Sequence, residues 1–156
     1  MLKLVEDTKS LMCPWLKAPF NNPNGYELDG YGQVLGYNYL GGHLDTPWVS
    51  IGMANAEWLS PQKTSDKCDM ILLTDLNAWS SEYEGGKTFA PHGPRGAILE
   101  SYDSGNTGTG VPSAEIGAAG GNIGILDGSG YWKKIDEMKI HVGSNINMTG
   151  ACFTAW

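Results

Sequence analysis

The sequence predicts an α+β fold in which an N-terminal helix packs on an antiparallel β-sheet with long loops at one edge. Three observations carry this prediction. Apolar residues at helical spacing occupy the first twelve positions, short β-type segments follow, and glycine supplies 22 of 156 residues without a collagen-type period. Because glycine accommodates turns and bulges, its abundance favours many turns and therefore short strands.

Chain length predicts one domain. A chain of 156 residues buries about two-thirds of its unfolded surface around a single core. Hydrophobic residues make up 41% and charged residues only 17%, so the apolar material for an ordered core is present. We expect residues 1–12 to be the end of the helix and residues 13–156 to form the β-rich part.

Strand predictions rest on period-two alternation and on compact aliphatic runs. Residues 34–40 alternate tyrosine with glycine and asparagine, which is typical of a half-buried strand. Residues 69–76 form the best core strand, and Asp75 and Asn77 then share one face of it or its end. The segment 79–119 is mostly loop in composition, and we expect a short strand hidden near residues 97–101.

The clearest local prediction is a β-hairpin. Residues 122–126 and 130–133 flank Asp127, Gly128 and Ser129, and an Asp-Gly pair tolerates the positive φ that tight turns need. Helical spacing of apolar residues in 134–141 and in 53–59 predicts two further short helices.

Charge excludes two classes of partner. The formal net charge of −7 repels phosphate backbones and anionic lipid, so we expect neither nucleic-acid nor membrane-surface binding, and a cation is the more natural small partner. The longest aliphatic run, residues 70–73, is far short of the roughly 20 residues that span a bilayer. No export signal follows Met1.

Cysteine spacing leaves the redox state open. Cys13, Cys68 and Cys152 lie far apart, so no CxxC motif exists and at most one internal disulfide forms. Three pairings are possible, and the sequence does not choose among them. The compartment is not settled by cysteine counting.

Five short pieces together resemble one protein family. They are Cys13-Pro14, Gly-Tyr-Asn-Tyr at 36–39, residues 71–77, Ala-Pro-His-Gly at 90–93, and Gly-Gly-Asn-Ile-Gly-Ile-Leu-Asp-Gly-Ser at 120–129. In this order they are similar to the C-terminal heads of bacterial prepilin-like proteins, the type II secretion G-like pseudopilins and the His-to-Asp-Gly pilin family. In such heads a histidine-glycine element precedes a hairpin that closes the sheet.

The resemblance implies a pilin-like head and a non-enzymatic role as a structural subunit of a secretion or surface filament. It implies other pilin-like subunits or secretion-system components as partners, in the periplasm, at the cell surface or outside the cell. Family members begin with a basic leader and a long apolar anchor helix. This chain shows neither, so we expect membrane contact only through an anchor helix absent from it.

One polar set suggests a cation site that stiffens the head. Two carboxylates, two amides and one imidazole near strand ends are ligands that could surround a divalent ion; they belong to Asp75, Asn77, His92, Asn122 and Asp127. Oxygen-rich ligands favour calcium, whereas a bound histidine favours zinc or manganese. A purely structural interpretation is also open, in which Asp127 begins a type I′ turn, Asn122 supports a bend and His92 bonds a loop.

Two other functions compete with the filament subunit. A small metal-dependent hydrolase would use His92 with Asp75 and Asp127, although no HExxH-type spacing is present and His43 and His141 also lack partner ligands in sequence. A carbohydrate-binding module would stack sugars on exposed tryptophans. The candidate rings are Trp15, Trp48, Trp58, Trp79 and Trp132.

Overall fold

Two antiparallel β-sheets make up most of the structure. The computed structural model describes residues 13–15, 27–28, 32–33, 36–44, 46–47, 56–80, 87–94, 96–101, 116–142 and 152–156. The strands in these ranges are β1 Glu27–Leu28, β2 Gly32–Gln33, β3 Tyr37–Tyr39, β4 Ile71–Asp75, β5 Ala78–Ser80, β6 Lys87–Gly93, β7 Gly96–Ser101, β8 Gly120–Ile125, β9 Gly130–Lys134, β10 Ile140–Val142 and β11 Cys152–Ala155.

The strands form a five-stranded sheet in the order β10-β11-β5-β6-β7 and a four-stranded sheet in the order β3-β4-β8-β9; β1 and β2 pair only with each other. The pairing within each sheet is antiparallel.

The α+β prediction is wrong. The described ranges contain no α-helix, and helical structure in them is limited to 3-10 turns such as Ile135–Glu137. The helix predicted within residues 1–12 lies outside the described residues. Sheet packs on sheet in this structure, with no helix seated on either one among the residues described.

The predicted helix at 134–141 is also wrong. A 3-10 turn at Ile135–Glu137 leads into β10, in which three consecutive residues are buried. Because a strand with both faces covered buries successive residues, a turn followed by such a strand mimics helical spacing of apolar positions. The β-branched Ile140 and Val142 favour the strand. Residues 56–59 of the other predicted helix are irregular, and residues 53–55 lie outside the described part.

Several strand predictions are confirmed. β3 lies within residues 34–40, β4 within 69–76 and β7 covers the strand expected near 97–101. The tyrosines of β3 do not face the core: Asn38 is buried, whereas Tyr39 is exposed. The stretch assigned mostly to loop also contains β5 and β6.

The predicted hairpin is confirmed with a different turn. β8 and β9 pair from Gly120–Lys134 to Gly124–Gly130. The Gly128 amide donates to the Ile125 carbonyl at 3.0 Å, the Ile125 amide donates to the Ser129 carbonyl at 2.9 Å, and Gly128 has φ 88°. These features define a three-residue loop with a left-handed glycine, whereas a type I′ turn has two loop residues.

The five-stranded sheet is covered on both faces. On one face Val142, Phe153 and Trp79 lie in register, and the rings of Trp79 and Phe153 stack with centroids 5.8 Å apart. Ile116 and Ala118 complete this core cluster. On the other face His141 lies opposite Thr154.

The inner face of the four-stranded sheet meets this second face through a polar contact. The Asn38 side chain on β3 donates from Nδ2 to Thr154 Oγ1 at 2.7 Å, to Thr74 Oγ1 at 3.1 Å and to the Asp75 carbonyl at 3.2 Å. A smaller apolar cluster of Leu40, Trp58, Ile123 and Trp156 fills the space beside it. Asn38 thus joins one strand of each sheet.

His141 is held neutral in the interior. Its ring stacks on Trp156 with centroids 4.0 Å apart and planes 3° apart, and its Nδ1 is buried without a hydrogen-bond partner among the described residues. Burial lowers the pKa of His141 to about 4; hydrogen bonds with the Trp156 and Ala56 backbone oppose this shift, and the charges of Lys133 and Lys139 add to it.

This buried histidine predicts a pH dependence of stability. Because the folded pKa of about 4 lies below the unfolded value of about 6.5, the unfolded chain binds more protons between these pH values. The free energy of unfolding should therefore rise by about 1–2 kcal/mol from pH 5 to pH 7, as measured by urea denaturation. His141→Gln removes the titrating ring and should flatten this slope. An unchanged slope in that variant would assign the pH dependence to other groups.

Candidate functional site

A row of four side chains crosses the outer face of the four-stranded sheet. Tyr37 lies opposite Asp75 between β3 and β4, and Asn122 lies opposite Trp132 between β8 and β9. A hydrogen bond joins Asp75 to Asn122 at the middle of the row. The row therefore places an aromatic ring at each end and polar groups at the centre.

The neighbouring row is partly empty of side chains. Tyr39 lies opposite Leu73, Leu73 opposite Gly124, and Gly124 opposite Gly130. The two glycines leave bare backbone beside the polar row. An open groove of about 740 Å³ lies over this region of the sheet.

Asp75 is the electrostatic centre of the groove. The residue is only 3% exposed, and its Oδ2 accepts hydrogen bonds from the Asn122 amide at 2.7 Å, from Asn122 Nδ2 at 3.0 Å and from His92 Nε2 at 3.0 Å. Burial of an uncompensated carboxylate is costly, so these donors are what make the position tolerable. Since a carboxylate only accepts, His92 carries a proton on Nε2.

This carboxylate joins the two sheets. Asp75 ends β4 and Asn122 lies on β8, both in the four-stranded sheet, whereas His92 lies on β6 of the five-stranded sheet. The His92 carbonyl also accepts from the Ala119 amide at 2.6 Å, just before β8 begins. The side chain of His92 thereby holds β6 against β4, and its carbonyl holds β6 against the residue before β8.

Three rings form one wall of the groove. The imidazole of His92 lies 6.3 Å from the Trp15 ring and 5.2 Å from the Trp132 ring, measured between centroids. The His92–Trp132 contact is edge-to-face, which suits the quadrupoles of aromatic rings. We call Trp15, His92 and Trp132 the aromatic arc.

Gly36 allows the segment that carries Trp15 to pack closely on the sheet. Cys13 is buried, and a Cβ at Gly36 would collide with its backbone nitrogen and Cβ, so only glycine permits this approach. Next to it, burial raises the pKa of Tyr37, and the charges of Cys13 and Asp75 add to the effect. The Tyr37 hydroxyl therefore stays protonated and can donate a hydrogen bond.

Asn77 lies beneath the groove. It is fully buried; its Nδ2 donates to the Gly120 carbonyl at 3.2 Å and contacts Met138 Sδ at 3.7 Å, while Oδ1 has no partner among the described residues. A Cβ at Gly121 would lie 2.7 Å from Asn77 Nδ2, and one at Gly120 would collide with the Lys133 carbonyl. In the Gly-Gly-Asn sequence of β8, the two glycines thus permit close packing, and Asn122 bonds Asp75.

Asp127 lies apart from the other predicted ligands. Asp127 is exposed in the turn after β8, where its carboxylate accepts a hydrogen bond from the Ser129 amide at 2.8 Å. Hydrogen bonds from the Ser129 hydroxyl and from this amide lower the pKa of Asp127. The structure brings Asp75, His92 and Asn122 into contact and places Asn77 below them. The structural interpretation of Asp127 as a turn residue agrees with this placement.

The geometry gives the calcium prediction no support. Three N–H groups donate to Asp75 Oδ2, and a cation bound to this oxygen would have to displace them. Within the described ranges, no group of three His, Cys, Asp or Glu side chains could hold a metal ion. Calcium binding therefore stays a prediction.

The remaining histidines have separate environments. His43 bonds the Tyr39 carbonyl through Nε2 at 3.0 Å, and His141 is stacked on Trp156 in the interior. Neither contributes to the groove. The hydrolase prediction combined His92, Asp75 and Asp127; among the described residues, His92 contacts Asp75, but Asp127 lies apart from both.

The tryptophans divide into two groups. Trp58 and Trp79 are buried in the core, Trp48 lies outside the described residues, and Trp15 and Trp132 are exposed on the groove. Sequence reasoning missed the tyrosines: Tyr39 and Tyr131 are also exposed there. The period-two alternation of Tyr37 and Tyr39 was the available signal for an aromatic outer face.

Comparison with protein-family models, with curated proteins and with solved structures finds no match to this chain. In the part of the chain that the structure describes, no helix has the length and apolarity that a membrane crossing requires.

Removal of the central carboxylate should destabilise the fold. Asp75→Ala leaves three N–H donors of the partly exposed Asn122 and His92 without their acceptor, so the free energy of unfolding should fall by about 1–3 kcal/mol. Asp75→Asn keeps an oxygen acceptor and should cost about half as much. Urea denaturation measures both values. Asp69→Ala, an exposed carboxylate on the same segment, is the control; equal losses for Asp75→Ala and Asp69→Ala would contradict the central role of Asp75.

Proposed function

We propose that the chain is a non-enzymatic pilin-like head, a structural subunit of a secretion or surface filament. One observation carries the proposal: the five sequence pieces on which the resemblance rests are scattered over 117 positions, from 13 to 129, yet all contribute to the walls of one groove. Their contributions are Cys13 and Pro14, Tyr37 and Tyr39, Leu73 to Asp75, His92, and Asn122 to Gly124 with Gly128 and Ser129.

The position of the hairpin in the sheet supports the proposal. β8 and β9 form the end of the four-stranded sheet, with β9 as its last strand. The histidine of the His-Gly element packs on this hairpin, since His92 contacts Trp132 and shares Asp75 with Asn122. The histidine element and the hairpin therefore act as one packing unit, as expected of a sheet-closing motif.

The way the polar groups are used favours a structural role over a catalytic one. Asp75 accepts from His92 and Asn122, and Asp127 accepts from Ser129 in its own turn. Hydrogen-bonded side chains that satisfy one another hold strands in register. The partners of such a head would be other pilin-like subunits or secretion-system components, in the periplasm or at the cell surface.

Localisation in the organism that encodes the chain tests this proposal. An epitope inserted in the exposed loop at Thr64 and Ser65 should be found in sheared surface filaments or in the cell-envelope fraction, and immunogold labelling should decorate filaments. Asp75→Ala should lower the amount recovered in filaments several-fold, because an unstable head is not assembled. Asp69→Ala should behave like the wild type.

Recovery of the tagged protein only in the cytosolic fraction, with no filament labelling, would rule the filament role out. Total cellular protein, measured by immunoblot in each strain, separates failed assembly from failed expression.

A further inference from the structure

Within the described ranges, the exposed tryptophans and tyrosines line the groove. Trp15 is 62% exposed, Trp132 47%, Tyr131 46% and Tyr39 43%, and all four line it. Large apolar side chains are scattered singly over ordinary protein surfaces, whereas clusters of them mark sites of interaction. The volume of about 740 Å³ falls within the range of about 300–1,000 Å³ for small-molecule sites.

The floor of the groove permits close approach to the sheet. Gly124 and Gly130 are adjacent on β8 and β9 and present no side chain. A flat ring can therefore lie against the backbone between Leu73 and the edge of the sheet. This shape suits a ring-shaped ligand better than a branched side chain.

The charge of the groove favours a neutral ligand. Among the described residues that line it, no lysine or arginine is present, and Asp75 is the sole carboxylate. That carboxylate is covered by the donors of His92 and Asn122. An anion finds no cation there, and a cation meets N–H groups in front of the oxygen.

The polar groups that remain in the groove include two fixed acceptors. Asn122 uses Nδ2 on Asp75, which leaves its Oδ1 as an acceptor, and the neutral His92 tautomer that carries its proton on Nε2 has Nδ1 as an acceptor. The protonated hydroxyl of Tyr37 adds a donor at the other end of the row. Fixed acceptors between aromatic faces match a ligand that carries both hydroxyl groups and an apolar C–H face.

We infer that the groove binds an uncharged carbohydrate, with a sugar ring stacked on Trp132 or Trp15 and its hydroxyls bonded by Asn122 and His92. A proline-rich peptide is the competing occupant, because such segments also dock in aromatic grooves. Proline lacks a backbone N–H, so such a peptide has few donors for Asn122 Oδ1 and His92 Nδ1, whereas a sugar hydroxyl both donates and accepts. The carbohydrate is therefore favoured, and this inference does not depend on the filament role.

Titration of the purified chain with uncharged oligosaccharides tests the inference. Cellohexaose, chitohexaose, mannohexaose and laminarihexaose are added in isothermal titration calorimetry, with tryptophan fluorescence as a second readout. We expect saturable binding of at least one of them. Trp132→Ala should weaken that binding about tenfold or more, whereas Trp132→Tyr keeps a stacking ring and should weaken it much less.

Two controls keep the test decisive. Leu44→Ala removes an exposed apolar side chain that does not line the groove and should leave affinity unchanged. Trp15→Ala removes the most exposed ring of the aromatic arc and serves if Trp132→Ala fails to fold, as judged by urea denaturation. Absence of binding by all four hexasaccharides at millimolar concentration would overturn the inference.

Sugar binding that neither tryptophan variant affects would also overturn it, since the ligand would then lie elsewhere. Tryptophan-dependent binding of a proline-rich decapeptide in place of the sugars would assign the groove to peptides. All these measurements use the isolated chain, so their failure is distinguishable from failure of filament assembly in cells.

Discussion

A carboxylate removed from water must be compensated by its surroundings, and Asp75 imposes this requirement on both sheets at once. Its Oδ2 draws the backbone and side chain of Asn122 from β8 and the imidazole of His92 from β6. β4 and β8 belong to one sheet and β6 to the other. The relative placement of the sheets, the orientation of His92 and the walls of the groove all follow from satisfying this one group.

A polar seam extends this constraint through the interior. Asn38 bonds Thr74 within its own sheet and Thr154 of the other sheet, and Asn77 bonds the Gly120 carbonyl below the groove. Polar groups in the interior have few alternative partners, so they specify register more sharply than apolar contacts of similar size. Strands of two to seven residues have few backbone hydrogen bonds of their own, and the polar contacts between the strands compensate for that.

The sequence predicted the structure where its signals are local. The Asp-Gly turn, the aliphatic run of β4 and the tyrosine alternation of β3 each identify an element from a few neighbouring residues, and all three elements are present. It also placed Asp75, His92 and Asn122 in one candidate set. Asp127, predicted with them, lies apart in the turn after β8, where it accepts from the Ser129 amide.

Signals that depend on distant partners were not available in the sequence. The helix predicted at 134–141 failed because burial of β10 on both faces depends on the other strands, which apolar spacing does not show. β5 and β6 lie in a stretch whose glycine, serine and proline content favours loop. Trp15 follows the Cys13-Pro14 pair, which shows no periodicity. Nothing near Trp15 in the sequence therefore indicates its contact with His92, more than 70 positions away.

The filament role and the carbohydrate site assign different tasks to the same groove: its interior network stabilises the head, and its exposed rings remain for recognition. Both rest on the claim that β4, β6 and β8 meet at Asp75. Nuclear magnetic resonance of the labelled chain tests that claim most directly. The account predicts cross-peaks between the His92 and Trp132 rings, and slow hydrogen exchange of the Asn122 amide that Asp75→Ala abolishes. A His92 ring without contacts to Trp132, together with an Asn122 amide that exchanges equally in both proteins, would contradict it.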